Sequence, residues 1–117
     1  MTEDTTHTPT AAARAYYRAL DTGDYDLLAG LLTPGFVHER PDMSLEGSDQ
    51  FVQFMRDERP MTDTSHPIDS VYEQVDGDGV VVRGRLLSAD RTTIARFADE
   101  FSFEGEKIAR IRTFTQR

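Results

Sequence analysis

The sequence predicts an α+β domain: three helices, a short strand set among them, and then a four-stranded antiparallel meander. Three observations carry this. Apolar side chains recur at helical spacing through the first half, and from His66 onward they alternate with period 2. The third is the pair of turn signals, Asp76 to Gly79 (DGDG) and Glu104 to Glu106 (EGE), each lying between two strand-like runs.

Met1 to Thr8 is polar and patternless and reads as a flexible tail, with no role for His7, so the domain is expected to occupy 9–117. Thr8 and Pro9 supply an N-cap and a first helical position, and the helix is expected to run to Asp21 and stop at Gly23. Ala12, Ala15, Tyr16, Ala19 and Leu20 form its buried stripe, which puts Tyr16 inside and Tyr17 mostly outside. Asp24 caps a second helix through Leu27, Leu28, Leu31 and Leu32, ended by Pro34 and Gly35. Phe36 to Arg40 is a short strand in which Phe36, His38 and Arg40 share one face and Val37 and Glu39 the other. After a turn at Gly47, Ser48 caps a third helix with Phe51, Val52, Phe54 and Met55 on its apolar side, and Arg56 to Ser65 is a loop. Strands are then expected over Ile68 to Val75, Val80 to Leu87, Thr92 to Phe103 and Lys107 to Thr115.

The closing hairpin holds the most informative residue. Phe97, Asp99, Phe101 and Phe103 fall on one face of their strand, so one carboxyl sits in a row of phenylalanines. Burial there disfavours the charged form and raises its pKa, so that a neutral Asp99 would donate a hydrogen bond to a ligand oxygen. On the returning strand Ala109, Ile111 and Thr113 face inward, and Arg110 and Arg112 outward.

The 117 residues suffice for a single core. A net charge of -8 disfavours nucleic acid and anionic membranes as partners. Twelve of the 13 basic residues are arginine, and this acid-rich, lysine-poor balance suggests adaptation to a salt-filled cytoplasm. The absence of cysteine removes disulfides, thiolate metal sites and a cysteine nucleophile. With no membrane-length apolar run and no signal-peptide pattern, a cytoplasmic location is expected.

The run Ala19 to Pro41 (ALDTGDYDLLAGLLTPGFVHERP) and the run Phe97 to Ile108 (FADEFSFEGEKI), in this order of elements, resemble the nuclear transport factor 2-like superfamily, and within it the SnoaL-like (polyketide cyclase) and ketosteroid isomerase branch. The resemblance spans Ala12 to Phe114. It implies a cone in which a curved, mostly antiparallel sheet wraps the long first helix, with two shorter helices completing a pocket for a small, largely apolar molecule. It also implies a homodimer through the outer sheet face, where Arg83, Arg85, Arg110 and Arg112 would lie. In the isomerase, Tyr16 corresponds to the oxyanion-hole tyrosine and Asp99 to the protonated aspartic acid beside it. The isomerase's general base, an aspartate, corresponds to Arg40, and arginine takes up no proton at working pH. Steroid isomerisation by that route is therefore not expected.

The residues leave two readings open. In one, a cofactor-independent isomerase or cyclase, Tyr16 and Asp99 polarise an oxygen, Arg40 holds an anionic group, and His38 moves the proton, while Phe97, Phe101, Ile111 and Thr113 line the pocket. In the other, the domain binds a ligand or a partner without catalysis, and Asp99 makes only a structural bond to tyrosine or an ion pair with Arg40. His66, at a strand entry before Pro67, reads as a loop histidine near the rim. No metal is expected, because His38 and Glu39 diverge on their strand and the DGDG run lacks the remaining ligands of a calcium loop. No cofactor fingerprint occurs: there is no phosphate-cradling glycine loop, dinucleotide motif or GxSxG elbow.

Overall fold

Gly23, at φ 72°, stops the first helix where its residue type predicts, because the left-handed conformation costs glycine nothing. The computed structural model describes residues 8–59 and 63–116, so the tail through His7 lies outside the described residues. Helix α1 spans Pro9–Thr22, with the Thr8 side chain accepting from the Ala11 amide, and α2 spans Tyr25–Leu31 behind an Asp24 cap.

Leu32 is already extended, so α2 ends three residues before the Pro34 and Gly35 that were expected to terminate the segment. Strand β1 (Leu32–Glu39) runs through both of them, with a register shift between Leu32 and Val37 that relieves its ladder of proline's missing donor. A three-residue strand β2 (Ser44–Glu46), not foreseen from sequence, pairs back on it. Helix α3 (Ser48–Gln53) is capped by Gly47 rather than Ser48 and continues as a π-helical turn, Phe54–Glu58, whose Phe54 and Met55 were expected to be helical and whose last three residues, from Arg56, were expected to be loop. Strands β3 (Ile68–Glu73), β4 (Val80–Leu87), β5 (Thr93–Glu104) and β6 (Lys107–Gln116) form the expected meander.

One sheet joins all six strands in the order β2-β1-β6-β5-β4-β3, antiparallel throughout except for the β1–β6 pair. Its inner face packs on α1, where Tyr16 meets Phe101 edge to face at 5.5 Å. Between the Ser102–Arg110 and Phe103–Ile108 pairs Ala109 is an extra, unpaired residue that bulges from β6, so that Ile108 as well as Ile111 faces the core and Ala109 does not. Glu39 bonds Arg112 at 2.8 Å on the outer face, and Arg85 bonds Asp69 at 3.1 Å.

The expectation for Tyr17 is overturned. Ala13, Tyr17 and Leu20 form a second apolar line on α1 beside the Tyr16 stripe, and both lines are buried. Tyr17 is 2% exposed, because Phe97, Phe101 and His66 pack around its ring and its hydroxyl reaches Asp99.

Candidate functional site

Between α1, the π-helical turn and strands β1, β4, β5 and β6 lies a cavity of about 460 Å³. That is room for a small organic molecule. Of the residues picked from sequence, Tyr16, His38, Arg40, Phe97, Asp99 and Thr113 line it. Phe101 and Ile111 do not. They are buried in the core around it, and no side of either is left for a ligand.

Asp99 is 6% exposed and is held from both sides. Tyr17, not Tyr16, gives its hydroxyl hydrogen to Oδ2 at 2.6 Å, and the Thr113 hydroxyl donates to Oδ1 at 2.5 Å. Thr113 stands directly opposite Asp99 on the neighbouring strand, so the second contact follows from register alone. The first crosses from helix to sheet and depends on Tyr17 being inside. Burial pushes the Asp99 carboxyl above its ordinary range, and the bonds from Thr113 and Tyr17 offset this only in part. Burial and the neighbouring carboxyl push the Tyr17 phenol up in turn.

The chain of contacts continues. His38 Nε2 lies 2.8 Å from Thr113 Oγ1, and its Nδ1 is buried without a partner. A hydroxyl has one hydrogen, so while Thr113 gives it to Asp99, the bond to His38 is donated by the imidazole. With a proton on Asp99 Oδ1 the directions reverse, and Thr113 donates to His38. Asp99, Thr113 and His38 thus form one hydrogen-bonded line whose bond directions follow the protonation of Asp99. Burial first, and Arg40 second, lower the His38 pKa to about 4, so the ring is neutral near pH 7 and a weak base.

The hydroxyl of Tyr16 has no hydrogen-bond partner among the described residues, although the side chain is 3% exposed and lines the cavity. Burial and Asp99 raise its pKa, and Arg40 and Arg59 pull the other way. Arg40 does not pair with Asp99. Its guanidinium faces Asp42 at 3.4 Å and lies over the Phe54 ring at 5.9 Å.

The opposite wall carries a pair that sequence reasoning passed over. His66 Nδ1 lies 2.6 Å from Asp21 Oδ1, and the His66 amide donates to Asp21 Oδ2 at 3.0 Å. Both residues were visible in the sequence, but they are 45 positions apart and no local spacing links them. Arg59 also joins the lining, with one end on the Leu20 carbonyl and its Nε buried without a partner. Among the described residues no group of three or more His, Asp or Glu side chains is arranged to hold a metal ion, and no helix is long and apolar enough to cross a membrane.

Comparison with known proteins agrees with this architecture. A family model described as a SnoaL-like domain matches residues 13–111. A nuclear transport factor 2-like protein of unknown function from Cytophaga hutchinsonii superposes with a TM-score of 0.80 at 15% identity, covering 99% of this chain and 95% of that one. A candidate ketosteroid isomerase from Kribbella flavida gives 0.80 at 20%, covering 93% and 78%, and a candidate polyketide cyclase from Sinorhizobium meliloti gives 0.76 at 17%, covering 88% and 93%. No curated protein matches. At such identities the structural likenesses establish the fold and nothing finer.

Proposed function

This chain belongs to the SnoaL-like domain family, and from that premise we propose that its cavity binds a small, largely apolar molecule through a carbonyl-type oxygen and is built for proton transfer at it, as in an isomerase or cyclase. The observation that carries this is the Asp99 carboxyl, buried at the cavity wall and aligned by Tyr17 and Thr113. A carboxyl that burial favours in its neutral form is a hydrogen-bond donor, and a donor inside an apolar site stabilises charge growing on a ligand oxygen. Tyr16 adds a second hydroxyl, one with no hydrogen-bond partner among the described residues, for a ligand oxygen to take. Phe97, Leu86 and Ile94 supply apolar contact, and Arg40 at the rim suits a substituent bearing a carboxylate. Engaged by Thr113 and weakly basic, His38 holds the Thr113 hydroxyl that aligns Asp99 rather than acting as the group that meets the ligand.

The test compares 2-tetralone with its hydrocarbon counterpart tetralin, titrated against the protein by nuclear magnetic resonance. The ketone should bind at least tenfold more tightly, and Asp99→Asn or Tyr16→Phe should narrow the gap. Equal affinity for the two compounds, or variants that leave the gap intact, would refute the reading. The outer sheet face, where Tyr72 and Phe114 are each 49% exposed amid ion pairs, supports the further expectation of association into a homodimer.

A further inference from the structure

We propose that Asp21 and His66 form a general-base dyad of this cavity, with His66 Nε2 taking a proton from the carbon beside a ligand carbonyl and Asp21 fixing the ring. The proposal rests on the carbonyl-binding reading above. Its argument is geometric. One carboxylate accepts from both the Nδ1 and the backbone amide of the same histidine, at 2.6 and 3.0 Å. The amide bond fixes the carboxylate against the His66 backbone and the Nδ1 bond orients the ring on it, and a neutral ring that gives its Nδ1 hydrogen to a carboxylate keeps a lone pair on Nε2. That nitrogen has no partner among the described residues, and the side chain lines the cavity along with Asp99.

The backbone on either side of His66 is pinned as well. Ser65 exchanges two hydrogen bonds with Leu87, at 3.1 and 2.9 Å, and the Pro67 carbonyl accepts from the Arg85 amide at 3.1 Å. Tyr17 and Phe97 flank the ring at centroid distances of 5.8 and 5.9 Å. Tyr17 therefore touches both halves of the site: it donates to Asp99 and packs against His66. A held base and a held acid on one cavity are the two components that enolisation needs.

The step balances as follows. His66 Nε2 takes the hydrogen from the carbon next to the carbonyl, and the C–H electron pair becomes the new C=C bond. The carbonyl π pair moves onto oxygen, which receives the proton of neutral Asp99, leaving an enol, an imidazolium and a carboxylate. In reverse, the enol oxygen returns its proton to Asp99 and the imidazolium returns a proton to carbon. Exchange of the imidazolium with solvent in between replaces hydrogen by deuterium in heavy water, without oxidant, reductant or metal.

The experiment uses the full chain and 2-tetralone in heavy water, with loss of the proton signal beside the carbonyl followed over time. The protein should accelerate exchange over buffer, and His66→Gln should lose at least about 100-fold of that acceleration. Asp21→Asn keeps an oxygen to accept from the ring, so it guards against a folding defect. It should lower the rate at saturating ketone about tenfold with the half-saturating concentration unchanged, a split that loss of structure alone would not give. Saturable binding without exchange above buffer, or exchange by His66→Gln within threefold of the parent, would overturn the dyad while leaving the pocket reading in place. Absence of saturable ketone binding would overturn both.

Discussion

Two adjacent tyrosines on α1 have opposite roles in this site, and their difference is measurable. Tyr17 supplies the donor to a buried carboxyl, so Tyr17→Phe leaves Asp99 Oδ2 without its partner. A buried acceptor stripped of its donor costs about 1–3 kcal/mol. Tyr16 has no such partner among the described residues, so Tyr16→Phe strips no acceptor of its donor and should cost less than Tyr17→Phe. Urea denaturation of the two variants decides it: equal losses would mean that the hydroxyls are not distinguished as the contacts imply. The histidine in the same chain of contacts sets a pH dependence. Folded His38 stays neutral down to about pH 4, whereas the unfolded imidazole titrates near 6.5. Its contribution is therefore complete above pH 6.5 and disappears as the pH falls toward 4, because the unfolded chain takes up the proton first. At 1.36 kcal/mol per pH unit the loss amounts to roughly 3 kcal/mol. Asp99 works in the opposite sense, since its raised pKa lets the folded state keep a proton that the unfolded state has released, which costs stability as the pH rises through the folded value. His38→Gln should therefore flatten the decline between pH 6.5 and 4, and an unchanged slope would exclude His38 as its source.

At the level of elements, β4 owes its fit to a residue that carries no side chain. A Cβ on Gly84 would lie 2.5 Å from the Pro67 carbonyl oxygen and 2.8 Å from the Phe97 ring. The same carbonyl anchors the segment bearing His66, so Gly84→Ala must displace either that segment or the ring. Such overpacking costs about 1–3 kcal/mol, and the shift should also appear as altered His66 ring resonances. Full stability with His66 unmoved would contradict the close approach. Neither this contact nor the Asp21–His66 pair was legible in the sequence, for a common reason. Each joins segments that meet only through the fold, and a glycine inside a strand announces some close approach without naming its partner. Local chemistry was readable: the Thr8 and Asp24 caps, the Gly23 stop, the DGDG turn and the inward face of Asp99 all follow from residue type and period. Reading failed where tertiary contacts overrode the local pattern. Tyr17 is buried because Phe97 and Phe101 of the sheet and the distant His66 close over it. The bulge at Ala109 brings Ile108 inward against simple alternation, and the irregular stretch of β1 between its Leu32 and Val37 pairings with β6 lets a strand run through Pro34 and Gly35.

Across the whole molecule the balance of charge sets a final expectation. Acidic residues outnumber basic ones 21 to 13, and several of the basic ones are already committed on the outer sheet face: Arg110 and Arg112 to Glu39, and Arg85 to Asp69. The surplus of carboxylates repels itself more in the compact state than in the expanded chain, so folding works against a Coulombic cost. Added salt shortens the screening length from roughly 10 Å at 0.1 M to about 3 Å at 1 M, which removes most of that cost between exposed groups. Exposed ion pairs weaken as well, but such pairs contribute only about 0–1 kcal/mol each. The melting temperature should therefore rise between 0.1 and 1 M sodium chloride. Sodium chloride is the right titrant because sulfate would stabilise by exclusion from the surface whatever the charge. A melting temperature that is flat or falls with sodium chloride would mean that the outer-face ion pairs outweigh the repulsion, and the acidic composition would then need another physical explanation.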